Sequence, residues 1–181
     1  MNGKKVVQFA AQMIQDQVLT KLATRSVIDD SQCCAKITAA LRDAVAEVCR
    51  RFPIYRCESL TSVGGLIASA GIADGEKYSV VSVEKSGKDV PFKVDHAGVH
   101  VNDDGTYTVT YSPENFNVTL YADFDVAPEV GFSMMVHLVA RNYCMLAGRT
   151  EEAAMFDSRY NEDVEQISLK RRSRIPARKF V

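Results

Sequence analysis

The hydrophobic period changes twice along this chain, and those two changes restrict it to a mixed architecture. From about Lys4 to Phe52 apolar residues recur at steps of three and four, as on one face of an α-helix. From Tyr78 to Ser112 they alternate with polar ones, as on a half-buried strand. Near Pro128 the helical period returns, and it holds to Ile167. A stripe built for one period cannot serve the other, because the wrong residues would face the core. The expected fold class is therefore α+β. Four main helices would form an antiparallel bundle, with a small antiparallel β-meander lobe inserted between the two pairs. The boundaries expected are residues 1–53 for the first helical pair, 54–127 for the β-rich lobe, 128–169 for the second pair and 170–181 for a basic tail.

The first helix is expected from about Lys4 to Leu22, with Val7, Ala11, Ile14, Val18 and Leu22 as its stripe. Asp29 or Asp30 can cap the second, since a short carboxylate accepts from free N–H groups in a first turn. That second helix, about Ser31 to Arg51, carries Cys34, Ile37, Leu41, Val45, Val48 and Phe52 in line, and Pro53 stops it. "YRCESLTSV" reads as a short strand and the glycine-rich "GGLIASAGIADG" as a loop. Strands follow near 78–84, 90–95, 98–102 and 106–111, with "KSGKD", "DHAG" and "NDDG" as turns. Pro128 suits the first turn of a third helix. Its apolar residues, among them Val130, Met134, Leu138, Val139 and Met145, lie on most sides and so suggest a central place. Gly148 fits its stop, Thr150 the cap of the last helix, and Ala153, Phe156, Tyr160, Val164 and Ile167 that helix's stripe.

Charge is distributed unevenly. The chain has 22 Lys and Arg against 23 Asp and Glu, a net −1. Six of the cations, and none of the acids, fall in residues 170–181, so residues 1–169 carry −7. A cationic end on an acidic body suits an anionic partner, whether nucleic acid, a lipid surface or an acidic protein patch. The N-terminus has no uninterrupted apolar run of the kind a secretory signal needs, and no stretch is apolar enough to span a bilayer. A soluble protein of a reducing cytoplasm is expected, with its five cysteines serving as small buried apolar residues.

Catalytic signatures are lacking. No motif ties Cys33, Cys34, Cys49, Cys57 or Cys144 to His96, His100 or His137 as a nucleophile and base. His96 and His100 are four apart, but in strand and turn, where that spacing does not align them as it would on a helix. "DHAGVHVNDDG" lacks the alternating oxygen ligands and closing Glu of a calcium loop, and "GIADGEK" lacks the spacing and Gly-Lys-Ser/Thr of a phosphate loop. No catalytic, cofactor-binding or metal-binding residue is assigned, and no enzymatic activity is expected.

Five stretches carry a resemblance: "AAQMIQDQ", "ITAALRDAVAEVCRRFP", "SVVSVEKSGKDVPF", "DGTYTVTYSP" and "APEVGFSMMVHLVARNYCMLAGRTEEAAMFDSRYNEDVEQI". In pattern, over most of the chain, they resemble the head–tail adaptor (connector) proteins of tailed bacteriophages. The resemblance implies a structural virion protein of the neck, present in the host cytoplasm before assembly. It implies a self-assembled ring, commonly twelvefold, beneath the portal, with a tail or nozzle protein below. Double-stranded DNA would pass through without sequence-specific contact, and no cofactor or membrane would be involved. The C-terminal extension of such adaptors docks on the portal. Here that would be Lys170, Arg171, Arg172, Arg174, Ile175, Arg178, Lys179 and Phe180, disordered until it binds. An acidic body also suits a channel that must not hold phosphate. The alternatives are another neck or tail-completion (stopper) protein, and a small nucleic-acid-binding protein using its basic tail.

Overall fold

A computed structural model describes residues 1–17, 19–20, 31–72, 78–113, 118–120 and 123–173, with 31–32 and 171–173 described by backbone only. Four α-helices and two antiparallel sheets are bounded among them, so the chain is mixed helix and sheet. It divides into two compact units, Met1–Phe52 with Asn117–Val181, and Pro53–Phe116.

In the helical unit, α1 spans Gly3–Ile14 and Asn2 caps it, its side chain accepting from the Lys5 N–H. The helix does not continue to Leu22 as its stripe suggested. Gln15 turns left-handed at φ 55°, and Asp16 then caps a new turn by accepting from the Leu19 N–H at 3.0 Å. A short acid that bonds its own backbone competes with the helix ladder, so the stripe crosses a break. Asp29 and Asp30, the expected caps of the next helix, lie outside the described residues. Helix α2, Ser31–Arg51, buries Ile37, Leu41, Val45 and Val48, with Phe52 just beyond it, while Cys34 is half-buried.

Helix α3, Phe132–Leu146, starts later than expected: Pro128 and Glu129 form a turn ahead of it, and Gly131 is the cap residue. It packs against α1, α2 and the last helix, which is why it is apolar on most sides. Met145, counted among its apolar residues, is 60% exposed. Hydrogen bonds from the Gly148 N–H to Met145 O and from the Arg149 N–H to Cys144 O close it. Helix α4 runs Thr150–Ser173, and every member of its expected stripe is buried. The basic end was expected to leave the helix at residue 170; Lys170, Arg171 and Arg172 are helical instead. Arginine and lysine are good helix formers, and cations suit a helix C-terminus. Residues 118–120 and 123–127 belong with the helices. Arg42 Nε donates to Val118 O at 3.1 Å, and the Phe124 N–H donates to Met1 O at 2.8 Å.

The β unit holds β1 (Arg56–Ser62), β2 (Leu66–Ala68), β3 (Tyr78–Lys85), β4 (Lys88–Asp89), β5 (Lys93–Val94), β6 (Gly98–His100) and β7 (Gly105–Pro113). One sheet has the order β1-β7-β3-β4 and the other β2-β6-β5. The last strand, β7, thus lies between β1 and β3 rather than at an edge, unlike the chain-order neighbours of a meander. The glycine-rich stretch read as a loop contains β2, which pairs with β6 and buries Ile67 against Val99. Of the strand expected over 90–95 only Lys93–Val94 forms, and Pro91 ahead of it can donate no ladder hydrogen bond. Ile67, Val83, Val99, Tyr107, Val109 and Tyr111 form the unit's core.

Candidate functional site

The most developed polar arrangement in the helical unit centres on Arg141. It is the one charged residue of α3 besides the titratable His137, and its guanidinium must find partners where apolar packing surrounds its backbone. Nη2 meets Glu47 of α2 at 2.5 Å, Nη1 meets Asp157 of α4 at 2.9 Å, and Nε donates to Asn142 Oδ1 at 3.0 Å. One side chain therefore joins three helices. Burial alone would lower the Arg141 pKa; the two carboxylates outweigh it and raise it. The guanidinium also sits 5.5 Å from the Tyr160 ring centroid, with that of Arg51 at 5.8 Å. Tyr160 is buried, and its hydroxyl has no hydrogen bond of acceptable geometry among the described residues. Burial first, then the nearby Glu47 charge, push that phenol upward.

Beside this network opens a groove of about 590 Å³. Asp43, Glu47 and Asp157 supply carboxylates, Arg141 the opposing cation, and Met145 and Leu146 an exposed apolar lip. Asp43 is exposed and forms no ion pair among the described residues. Groups of this kind bind and orient; among the described residues lining the groove there is no Cys, Ser or His.

A second network ties the break after α1 to the start of α4. Arg149 pairs with Glu152, contacts Asp16 at 3.7 Å and donates to Ile14 O at 3.2 Å. The Tyr143 hydroxyl lies 3.4 Å from Asp16 Oδ2 and 3.5 Å from Cys33 Sγ. Burial, then Cys33 and Asp16, raise the Tyr143 phenol well above its usual range. His137 Nδ1 meets Asp163 at 2.8 Å between α3 and α4, and His100 Nε2 meets Asp95 at 2.9 Å in the β unit. Each of these histidines faces a carboxylate rather than a cysteine.

The cysteines differ from the uniform burial expected of them. Cys49 and Cys144 are buried, Cys33 and Cys34 half-buried, and Cys57 exposed on β1. Burial pushes the Cys49 thiol up to about 11 and raises Cys144 as well, the reverse of activation. Among the described residues no group of three His, Cys, Asp or Glu side chains could hold a metal ion. No described helix is long and apolar enough to cross a membrane.

Of the partner-binding residues expected from the sequence, Lys170 is exposed on the last turns of α4. Arg171 and Arg172 follow on the same helix, known by backbone alone. Arg174, Ile175, Arg178, Lys179 and Phe180 lie outside the described residues. The Arg141 network and its groove were not foreseen. A signal existed in the single arginine of "VHLVARNYCML", since a lone charge within an apolar helix must meet partners from other elements.

No protein-family description matches the chain, and no curated protein matches it.

Proposed function

We propose that this chain is a structural virion protein, the head–tail adaptor of a tailed bacteriophage. Its helical unit would form an antiparallel bundle that packs side by side with neighbouring copies into a closed ring. The β unit then reaches ring neighbours or the tail component below, and the basic C-terminal segment docks on the portal above.

The observation that carries this reading is the element order. Among the described residues two bounded helices, α1 and α2, precede the β unit and two, α3 and α4, follow it, and the flanking halves make one compact unit. This is the order on which the sequence resemblance rests. Two features support it further. The charged clusters join helices to one another rather than forming a nucleophile and base. Six of the 22 cations cluster in residues 170–181, past Ile167, the last buried residue of α4 among the described side chains, where a partner can be met without disturbing the core.

Native mass measurement of the full chain, alone and with a cognate portal, tests the reading. A closed cyclic assembly of about twelve copies bound to the portal is expected. A chain that stays monomeric and ignores the portal would exclude it. Ending the chain after Ser173 should leave the melting temperature nearly unchanged and abolish attachment. Replacing Arg171, Arg172 and Arg174 with alanine should weaken attachment and flatten its salt dependence. A gel shift with random-sequence DNA separates the nucleic-acid alternative, which demands tight binding with a steep salt slope.

A further inference from the structure

We propose that the groove beside Arg141 receives the C-terminal segment, residues 174–181, of a second copy of this chain and holds it until a portal claims it. This deepens the adaptor reading and rests on it for the identity of the competing partner.

Charge supports the match. Three carboxylates, Asp43, Glu47 and Asp157, face one guanidinium across the groove, and that guanidinium is already engaged by two of them. Asp43 is left to meet a cation. The segment supplies Arg174, Arg178 and Lys179 and has no acid of its own. An arginine fork can hold a carboxylate at two points, which a compact ammonium cannot. The apolar part also fits. Met145 and Leu146 are 60% and 45% exposed at the lip, and Ile175, Phe180 and Val181 are interspersed with the segment's cations. The groove, about 590 Å³, is of the size that encloses one compact ligand, so it would seat two or three side chains rather than the whole segment.

Reach favours another copy as the donor. Thr150, one of the groove residues, begins α4, and Ser173 is its last described residue. At about 1.5 Å per residue, about 35 Å of helix axis separates the two, and about 24 Å separates Ser173 from Asp157. Eight residues at full extension span at most about 29 Å, so a segment doubled straight back on its own helix could meet Asp157 but could not run the length of the groove to Thr150. A tail-into-groove contact between copies is heterologous: each chain gives at one surface and receives at another, and such contacts close into rings when the rotation permits. The consequence is regulatory. A cationic, aromatic segment left uncovered would attach to nucleic acid through charge alone. Seated in a neighbour it is masked, and a portal offering more acidic and apolar surface displaces it.

The test uses the full-length chain without any portal. Phe180 is replaced by photoreactive p-benzoylphenylalanine, and this protein is mixed with an equal amount of unmodified chain labelled with nitrogen-15. After irradiation, mass spectrometry locates the cross-links. The expected result is attachment to the labelled copy at Met145, Leu146 or Ala154. Yield should fall at least tenfold when the labelled copy carries Asp43→Lys or, separately, Ala154→Arg. Both positions are exposed, and circular dichroism checks that each variant folds. Cross-links within one copy, cross-links elsewhere, none at all, or a yield indifferent to both substitutions would each overturn the proposal. Portal attachment is scored in a separate assay, so a chain that binds portals but gives no groove cross-link defeats this inference and leaves the adaptor reading standing.

Discussion

The helical unit and the β unit build their cores differently. In the helical unit a single element carries a whole apolar face: Ile37, Leu41, Val45 and Val48 on α2, or Phe156, Tyr160, Val164 and Ile167 on α4. Among the described strands of the β unit β7 alone does so, burying Tyr107, Val109, Tyr111 and Pro113 at alternate positions, and the rest of the core is scattered. Ile67 comes from β2, Val83 from β3, Val99 from β6, and Tyr107, Val109 and Tyr111 from β7, so the core exists only once distant strands pair. The polar groups differ likewise. Arg141 joins three helices across their surfaces, whereas Asp95 closes a turn at close range, accepting from the Ala97 and Gly98 N–H groups and meeting His100. One unit should therefore be most sensitive to what is placed on a stripe, and the other to backbone geometry where strands meet.

Leu41→Asp should have the largest effect on the helical unit. Leu41 is fully buried, and an aspartate there would be an unpaired charge in the core. The expected cost is about 5 kcal/mol or more, enough to unfold a domain of ordinary stability. Loss of the helical signal in far-ultraviolet circular dichroism, or failure to express in soluble form, is the expected outcome; a well-folded variant would show that the stripe is not the core.

Gly98→Ala strikes the β unit through its backbone. Gly98 has φ +146°, and an added Cβ would lie 2.1 Å from Ile67 O and 2.8 Å from the Ser69 nitrogen. Both are main-chain atoms, so relief requires β2 and β6 to separate. About 3 kcal/mol is expected from combined strain and lost pairing. Hydrogen exchange should show it as lost protection in β2 and β6.

These two positions also separate what a local stretch of sequence conveys from what it does not. Leu41 lies in a helical stripe of local origin, and the buried faces of α2 and α4 were legible because period alone determines them. The end of α1 was not, because a stripe continues through Asp16 while the capping chemistry of that residue ends the helix. β2 was missed for a different reason. Three residues among glycines have no period of their own, and their partner β6 is about thirty residues away. The place of β7 between β1 and β3 is equally non-local. Of the candidate site, the lone arginine of α3 was visible, but its partners Glu47 and Asp157 come from two other helices that only the packing brings together.

Arg141 is the polar counterpart of Leu41 in the helical unit, tying helices together where Leu41 fills the core. Arg141→Ala removes the link among α2, α3 and α4 and leaves Glu47 and Asp157 facing each other without it. All three side chains are partly exposed, so solvent moderates the loss, and about 2 kcal/mol is expected. Arg141→Lys keeps the charge but cannot span both carboxylates with a fork, and should recover less than half. Chemical denaturation in urea with and without added salt would measure both.

Tyr111 provides a smaller test in the β unit. Its hydroxyl donates to Glu58 of β1, and burial first, then that carboxylate, push the phenol up to about 12. A folded pKa above the unfolded value of about 10 means the protonated phenol stabilises the fold fully below pH 10. That contribution is lost as the pH climbs through the folded value. Tyr111→Phe should cost about 1 kcal/mol at neutral pH, the worth of one hydrogen bond, and should reduce the alkaline sensitivity of the β unit. Equal loss of stability above pH 10 in both proteins would assign that sensitivity elsewhere.

The smallest effect expected is a gain, at the turn between β3 and β4. Glu84 pairs with Asp89 and Lys85 with Lys88, leaving Ser86 and Gly87 as a two-residue connection. Both have positive φ, 54° and 75°, as a type I′ turn requires to match the strand twist. Gly87 adopts this without cost. Ser86 does not, because its Cβ crowds the backbone in the left-handed region, where asparagine is better tolerated. Ser86→Asn should therefore stabilise the β unit by about 0.5 kcal/mol, and Ser86→Val, branched at Cβ, should destabilise it by more than that. The gain should appear as slower amide exchange across β3 and β4, with α2 and α4 unaffected. A shift of equal size in the helices would mean that the two units do not respond separately to local backbone strain, and the contrast drawn between them would fail at its most sensitive point.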